Sequence, residues 1–185
     1  MSAPPRDRAP DLTPAELRAR LLEALQLKEV TRAGWVRVGV QAPESVAAHS
    51  WGVAWLVLAL CPPMLDRGRA LAIAVLHDLA EVRVGDLTPS DGVPKGDKAR
   101  MEAEAMSGLL SGLAGASEFE ALWREYEDGS TPEGRLVKAC DKLDMALQAA
   151  RYEATQGLEL SEFLDSALSK LTDPTLQAMR ALISR

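Results

Sequence analysis

Seven consecutive apolar residues, Ala70-Leu-Ala-Ile-Ala-Val-Leu76, constrain this chain more than any other segment. Ala and Leu favour helix, and a helix that is apolar on every side has no face to give to water. Such a helix has to lie in the middle of a fold, wrapped by other elements. Around it the sequence predicts further helices and no strand.

Thr13-Pro14-Ala15-Glu16 has the form of a capping box with Pro at the first helical position. Leu17, Leu21, Leu22, Leu25 and Val30 follow at helical spacing and predict a helix over 14–30. Gly34, Gly39 and Pro43 mark a loop over 31–44. The next helix, over 45–61, takes Ser45 as its cap and ends at Pro62-Pro63. The apolar run itself belongs to a helix over 66–80. Gly85, Pro89, Gly92, Pro94 and Gly96 predict a long loop over 82–97, and long loops inside compact domains usually carry function. Helices are expected over 97–113, 117–127, 132–156, 160–170 and 173–184, and Thr131-Pro132-Glu133 repeats the start signal.

Helices of such unequal length do not pair neatly, so the expected fold class is all-α, an orthogonal helical bundle rather than an up-and-down one. Residues 1–12, Pro-rich and charged, read as a flexible N-terminal tail. Residues 13–185 are then one domain, since 185 residues build one sizeable core and are short for two.

The formal charge is −6, and no Lys/Arg cluster marks a face for nucleic-acid polymers. An acidic chain can still hold a small phosphorylated molecule, but only locally, through a metal or a few placed cations. Cys61 and Cys140 have no metal-ligand spacing and apolar neighbours. They read as reduced core thiols of a cytosolic protein, with a disulfide left open. The N-terminus lacks the apolar stretch of a secretory signal, and Val53–Leu60 is too short to span a bilayer. A cytoplasmic protein with no membrane partner is expected.

The chain has two histidines, His49 and His77, each on an apolar helix face. A single such histidine is more simply a satisfied core residue. His77, however, ends the apolar run and is followed at once by Asp78, and a buried ionisable pair is costly without a shared partner. A divalent cation serves, because imidazole nitrogen and carboxylate oxygen both bind it. Asp141 stands mid-helix between Val137 and Met145, with Asp144 three residues on. Locally it could equally be a half-exposed acid paired with Lys138 or Lys142.

Taken together, His49, His77-Asp78 and Asp141 resemble the H…HD…D signature of the HD superfamily. The run from His77 to Pro89, the Pro43-Glu44-Ser45-Val46 ahead of His49, Arg32-Ala-Gly-Trp35, and Asp141-Lys142-Leu143 with Gln148 and Tyr152-Glu153 are similar to the YfbR-like 5′-deoxynucleotidases. The resemblance covers residues 15–157. It implies hydrolysis of deoxynucleoside 5′-monophosphates, a homodimer, and one divalent ion (Mn²⁺, Co²⁺, Mg²⁺ or Fe²⁺) on His49, His77, Asp78 and Asp141.

Glu81, four residues after His77 and three after Asp78, falls on the same side of a continuing helix, and given the motif it is expected to orient or deprotonate water or to protonate the leaving oxygen. Its alternative is a surface acid at a helix end. Asp86 is implied at the sugar or in proton transfer, with a turn-forming Asx as its alternative. Thr88 joins Asp86 in substrate binding. Arg32 is implied as a phosphate clamp. Trp35 is implied as a wall against the sugar, with core packing as its alternative. Trp51, Trp55 and Trp123 are expected to pack, and Lys95 and Lys98 to be solvated charge.

Two residues depart from the pattern. Ala48 stands where relatives usually carry an acid before the first histidine, and losing an orienting group of that kind costs about 10–100-fold in metal affinity. Arg32 and Trp35 are separated, where some relatives have them adjacent. Among other activities of the superfamily, (p)ppGpp hydrolysis expects an acidic pair that Glu81-Val82 breaks. Cyclic-di-GMP hydrolysis expects a downstream GYP motif that is absent, and triphosphohydrolases are larger and more basic. The remaining alternatives are a hydrolase of another small phosphoester, and an HD-fold module that keeps metal or nucleotide but has lost turnover.

Overall fold

The computed structural model describes residues 12–170 and 181–182. The expected tail at 1–12 lies outside them but for its last residue, as does the expected helix 173–184 but for 181–182.

The first helix, α1 (Pro14–Leu25), has the capping box read from the sequence: Thr13 Oγ accepts from Glu16 N at 3.3 Å, and Glu16 accepts from Thr13 N at 2.8 Å. It stops short of residue 30, tightening into a 3₁₀ turn at Gln26–Lys28 that buries Leu27. Leu21, Leu22 and Leu25 stay exposed. The expected loop 31–44 contains a short helix, α2 (Ala33–Arg37). A single antiparallel bridge, Thr31 to Ser45, closes its base. This loop delivers Arg32 and Trp35 to one side of the fold.

Helix α3 (Val46–Leu60) begins on the Ser45 cap and buries Val46, His49, Ser50, Val53 and Val57. Trp51 and Trp55 lie on its other face, 72% and 54% exposed, so the expectation that they pack is wrong. Their offset of four repeats the helical turn and places both opposite the buried stripe. Trp123 does pack, in a core with Met106 and Leu110.

The all-apolar run forms α4 (Arg67–Leu76), packed against α3, α7 (Ala116–Asp128) and α8 (Pro132–Gln156). Ala70, Ile73 and Ala74 are buried, while Val75 reaches solvent, so one edge of this central helix is open. The helix ends at Leu76 rather than at 80. The Ala74 carbonyl, which a continuing helix would offer to the Asp78 N–H, accepts from His77 Nδ1 at 2.7 Å. Tighter bonds follow, Leu79 N to Leu76 O and Glu81 N to Asp78 O. The chain re-enters helix as α5 (Glu81–Val84), crosses a 3₁₀ turn at Pro89–Asp91, and continues in α6 (Lys95–Leu110).

Helix α8 is the spine: it touches α3, α4, α7 and α9 (Ser161–Lys170). Its N-terminus lies so close to α7 that a Cβ on Gly134 would overlap the Glu125 carbonyl oxygen. Cys61 and Cys140 are free, buried thiols. Burial pushes the Cys140 thiol up to about 12, so it stays protonated.

Candidate metal centre

Three helices converge on one buried point. His49 comes from α3, His77 and Asp78 from the broken end of α4, and Asp141 from the middle of α8. His49, His77 and Asp141 are 0%, 2% and 4% exposed, which settles Asp141 as a buried group rather than a half-exposed one. His77 Nε2 stands 3.2 Å and His49 Nε2 3.6 Å from Asp78 Oδ2, and His49 Nε2 is 3.4 Å from Asp141 Oδ1.

A hydrogen bond at Nδ1 orients each imidazole. A backbone carbonyl only accepts, so His77 Nδ1 carries the proton it gives to Ala74. His49 Nδ1 likewise donates to Asp144 Oδ2 at 2.7 Å. Both Nε2 atoms therefore face the carboxylates, neither has a hydrogen-bond partner, and each offers a lone pair when it carries no second proton. Buried polar atoms without partners are rare and need a reason. Two imidazole lone pairs beside two carboxylates are the donor set of a divalent cation. Ligand atoms of His49, His77 and Asp78 already lie within 4.8 Å of one another. These residues fit the implied ion.

The electrostatics agree. Burial and Arg32 oppose a proton on His49, yet Asp141, Asp144 and Asp78 outweigh them and raise its pKa to about 9, so without a cation a proton takes the Nε2 position that a metal ion would occupy. Burial also opposes charge on Asp78, but His77, His49 and Arg32 hold its carboxyl well below the usual range. Negative charge is concentrated here and calls for a positive partner.

The residues around the centre have their own partners. Tyr126 donates to Asp141 Oδ2 at 2.9 Å, and Lys142 pairs with the same oxygen at 2.8 Å. Ala48 is exposed, and the acid that orients His49 comes instead from Asp144. Glu81 is buried, 5% exposed, with Oε2 lacking any partner, so it is no surface acid. Burial, with Asp78 and Asp86 near, drives its carboxyl well above its usual pKa. The Asp86 side chain does not cap its own turn but reaches across to α2. It accepts from Ala33 N at 2.6 Å and lies 3.4 Å from Arg32 Nη1, pinning the start of α2 to the loop after α5.

A cavity of about 440 Å³ opens beside these groups. Arg32, Arg37, Lys98, Lys142 and Lys170 line it against only Asp86 and Glu162, so a chain of net charge −6 keeps a cationic chamber here. Lys98 is more than solvated charge, since its Nζ donates to Leu87 O at 2.8 Å and braces the loop. Trp35 is a core residue that also lines the cavity. It is 1% exposed, donates from Nε1 to Glu44 at 3.0 Å, and packs on a tilted Phe163 ring and edge-on against Tyr152. Thr88 also lines the cavity, its hydroxyl bonded to Asp91 at 2.8 Å.

Fold and centre together define, among the described residues, a helical bundle with a buried His/Asp cluster able to hold a metal ion. The chain belongs to the HD-domain family, whose model, described as HD domain, matches residues 24–181. It is 40% identical over 155 residues to the 5′-deoxynucleotidase HDDC2 of Bos taurus, covering 82% of this chain and 76% of that protein. Among solved structures, the PH0347 protein of Pyrococcus horikoshii OT3 matches with a TM-score of 0.77 and 34% identity over 89% of this chain and 99% of that one. A predicted metal-dependent phosphohydrolase of Magnetospirillum magnetotacticum MS-1 matches with a TM-score of 0.70 and 25% identity over 91% and 92%.

Proposed function

We propose that this protein is a divalent-metal-dependent 5′-deoxynucleotidase, hydrolysing deoxynucleoside 5′-monophosphates to deoxynucleoside and phosphate. The observation that carries this reading is the pair of unpartnered imidazole Nε2 atoms set against Asp78 and Asp141, which Arg32 and Lys142 connect to a cationic, nucleotide-sized cavity. The activity named for the Bos taurus relative supports it.

His49, His77, Asp78 and Asp141 would hold the ion, with Mn²⁺, Co²⁺, Mg²⁺ and Fe²⁺ all suited to mixed nitrogen and oxygen donors. When bound, it supplies positive charge against the phosphate and acidifies water. Arg32 receives phosphate oxygens, its guanidinium already aligned by Asp86 and Asp78. Glu81, protonated in its buried setting, gives its proton to O5′ as the P–O5′ bond breaks, and regains one from the attacking water. Asp86 holds Arg32 and α2 in place and offers its remaining lone pairs to a sugar hydroxyl. Thr88 borders the same space, and Trp35 closes it where a 2′-hydroxyl would enter.

We further infer a homodimer, formed over the open face of α3, where Trp51, Trp55 and Leu58 leave an apolar stripe that a second copy would cover. Sedimentation of Trp51→Glu protein as a monomer, against a wild-type dimer, is the expected result. A cytoplasmic setting suits the two free thiols. No helix among the described residues is long and apolar enough to cross a membrane.

The test is phosphate release from deoxy- and ribonucleoside 5′-monophosphates by chelator-stripped protein with Mn²⁺, Co²⁺, Mg²⁺ or Fe²⁺ restored, beside Asp141→Ala. Metal-restored release, stronger for deoxynucleotides and lost in the variant, is expected. A folded, metal-loaded protein that releases nothing overturns the reading.

A further inference from the structure

The cavity is larger than a phosphate group needs, and its far side is built by an element that the metal centre does not use. Along α8 its floor runs from Lys142, next to Asp141, to Met145 one turn on. From there it reaches α9, where Phe163, Ser166 and Lys170 recur at offsets of three and four, on one face of that helix. Phe163 is locked in place. Its ring stacks on Trp35 with centroids 4.3 Å apart, and its Cε1 lies close enough to α2 that a Cβ on Gly34 would stand 3.4 Å away.

Ser166 differs from its neighbours. It is half-buried, lines the cavity, and its hydroxyl makes no hydrogen bond among the described residues. Ser169, one turn away and exposed, does use its hydroxyl, donating to Ser166 O at 2.8 Å. A small residue with a free donor and acceptor, beside the apolar Met145 and Phe163, suits a flat heterocycle with polar edges.

We propose that α9 is the nucleobase-facing wall of the substrate cavity and that Ser166 determines which bases it admits. This rests on the deoxynucleotidase reading, in which the phosphate lies at the metal centre and the nucleoside extends toward α9. The small side chain of Ser166 leaves room for a purine, and its hydroxyl meets the polar edge of the base.

Ser166→Trp fills that room, and Ser169→Trp adds the same bulk to the exposed side of the same helix as a control for folding. The expected result is a KM for dAMP and dGMP raised about tenfold or more in Ser166→Trp, the scale on which pocket volume discriminates. Turnover of phenyl phosphate stays within about twofold, and Ser169→Trp behaves as wild type. Ser166→Ala keeps the room and reorders the bases by a few-fold. Calorimetric binding of dAMP to the same proteins separates the two readings. Wild-type turnover with KM and dAMP affinity unchanged in Ser166→Trp overturns the base wall alone. No wild-type turnover, but dAMP binding that Ser166→Trp weakens tenfold, overturns the deoxynucleotidase reading and keeps the wall. Neither turnover nor binding overturns both.

Discussion

His49 Nδ1 donates to Asp144 Oδ2 across 2.7 Å, from α3 to α8, and this bond leaves His49 Nε2 facing Asp78 and Asp141. One carboxylate thus fixes both the tautomer and the ring orientation of a metal-facing histidine. Asp144→Ala is expected to weaken metal affinity by about 10–100-fold, the usual cost of removing a group that orients a ligand. Asp144→Asn keeps an acceptor oxygen and is expected to lose less. Competition with a fluorescent chelator measures both. Wild-type affinity in Asp144→Ala would remove Asp144 from the centre.

Gly52 makes that bond possible. It lies three residues beyond His49 on α3, and a Cβ built there would overlap Asp144 Oδ1. Glycine in a helix ordinarily costs about 1 kcal/mol against alanine, so the same substitution carries two opposed effects. With Asp144 present, Gly52→Ala should displace the carboxylate and weaken metal binding. With Asp144 already replaced by Ala, it should leave metal affinity unchanged and raise thermal stability. The four proteins of this double-mutant cycle test the coupling directly. Equal effects of Gly52→Ala in both backgrounds would show that the two residues act independently.

Tyr126 holds the other side of the centre through its hydroxyl on Asp141 Oδ2 at 2.9 Å. Its ring also packs edge-on against His77, with centroids 5.1 Å apart. Tyr126→Phe keeps the ring and removes only the hydroxyl. Hydrogen bonds to charged groups are worth about 1.5–3 kcal/mol, and Lys142 remains on the same oxygen, so a loss toward the lower end of that range is expected. Denaturant melts of the metal-free protein measure it. Metal titration is expected to show weaker binding, because Asp141 is then free to turn.

The helix starts were legible because their signals are local: the Thr13 and Thr131 caps, and the proline that follows each, occupy consecutive residues. Helix α2 was not legible, because its first N–H is satisfied by Asp86 from 53 residues away. The early end of α4 depends on a histidine side chain taking the Ala74 carbonyl, which no propensity records. Trp51 and Trp55 misled for a different reason, since bulk and apolarity favour burial while helical spacing sets them opposite the buried stripe. The four residues proposed to hold the ion were picked out by the resemblance, and the fold brings them together. Asp144 had one usable signal, its offset of three from Asp141 on the same helix face, whereas Tyr126 had none, as α7 meets α8 only in the folded chain.

Glu81 offers the sharpest separation of chemistry from binding. The turn after His77 swings it inward, where it is 5% exposed and its Oε2 has no partner. A structural acid at that depth would have its lone pairs satisfied; one that passes a proton to the substrate must keep an oxygen free. Glu81→Gln preserves shape and hydrogen-bonding capacity while removing the transferable proton. A kcat lowered by about 10²–10⁴-fold is expected, the range for loss of a general acid or base, with KM and metal affinity close to wild type. The loss should be smallest for a phosphoester whose leaving group is acidic, such as 4-nitrophenyl phosphate, because that oxygen departs without a proton. If the ester and the nucleotide lose activity equally, Glu81 acts on the attacking water rather than on O5′. If kcat stays within twofold for both, Glu81 carries no proton in the reaction.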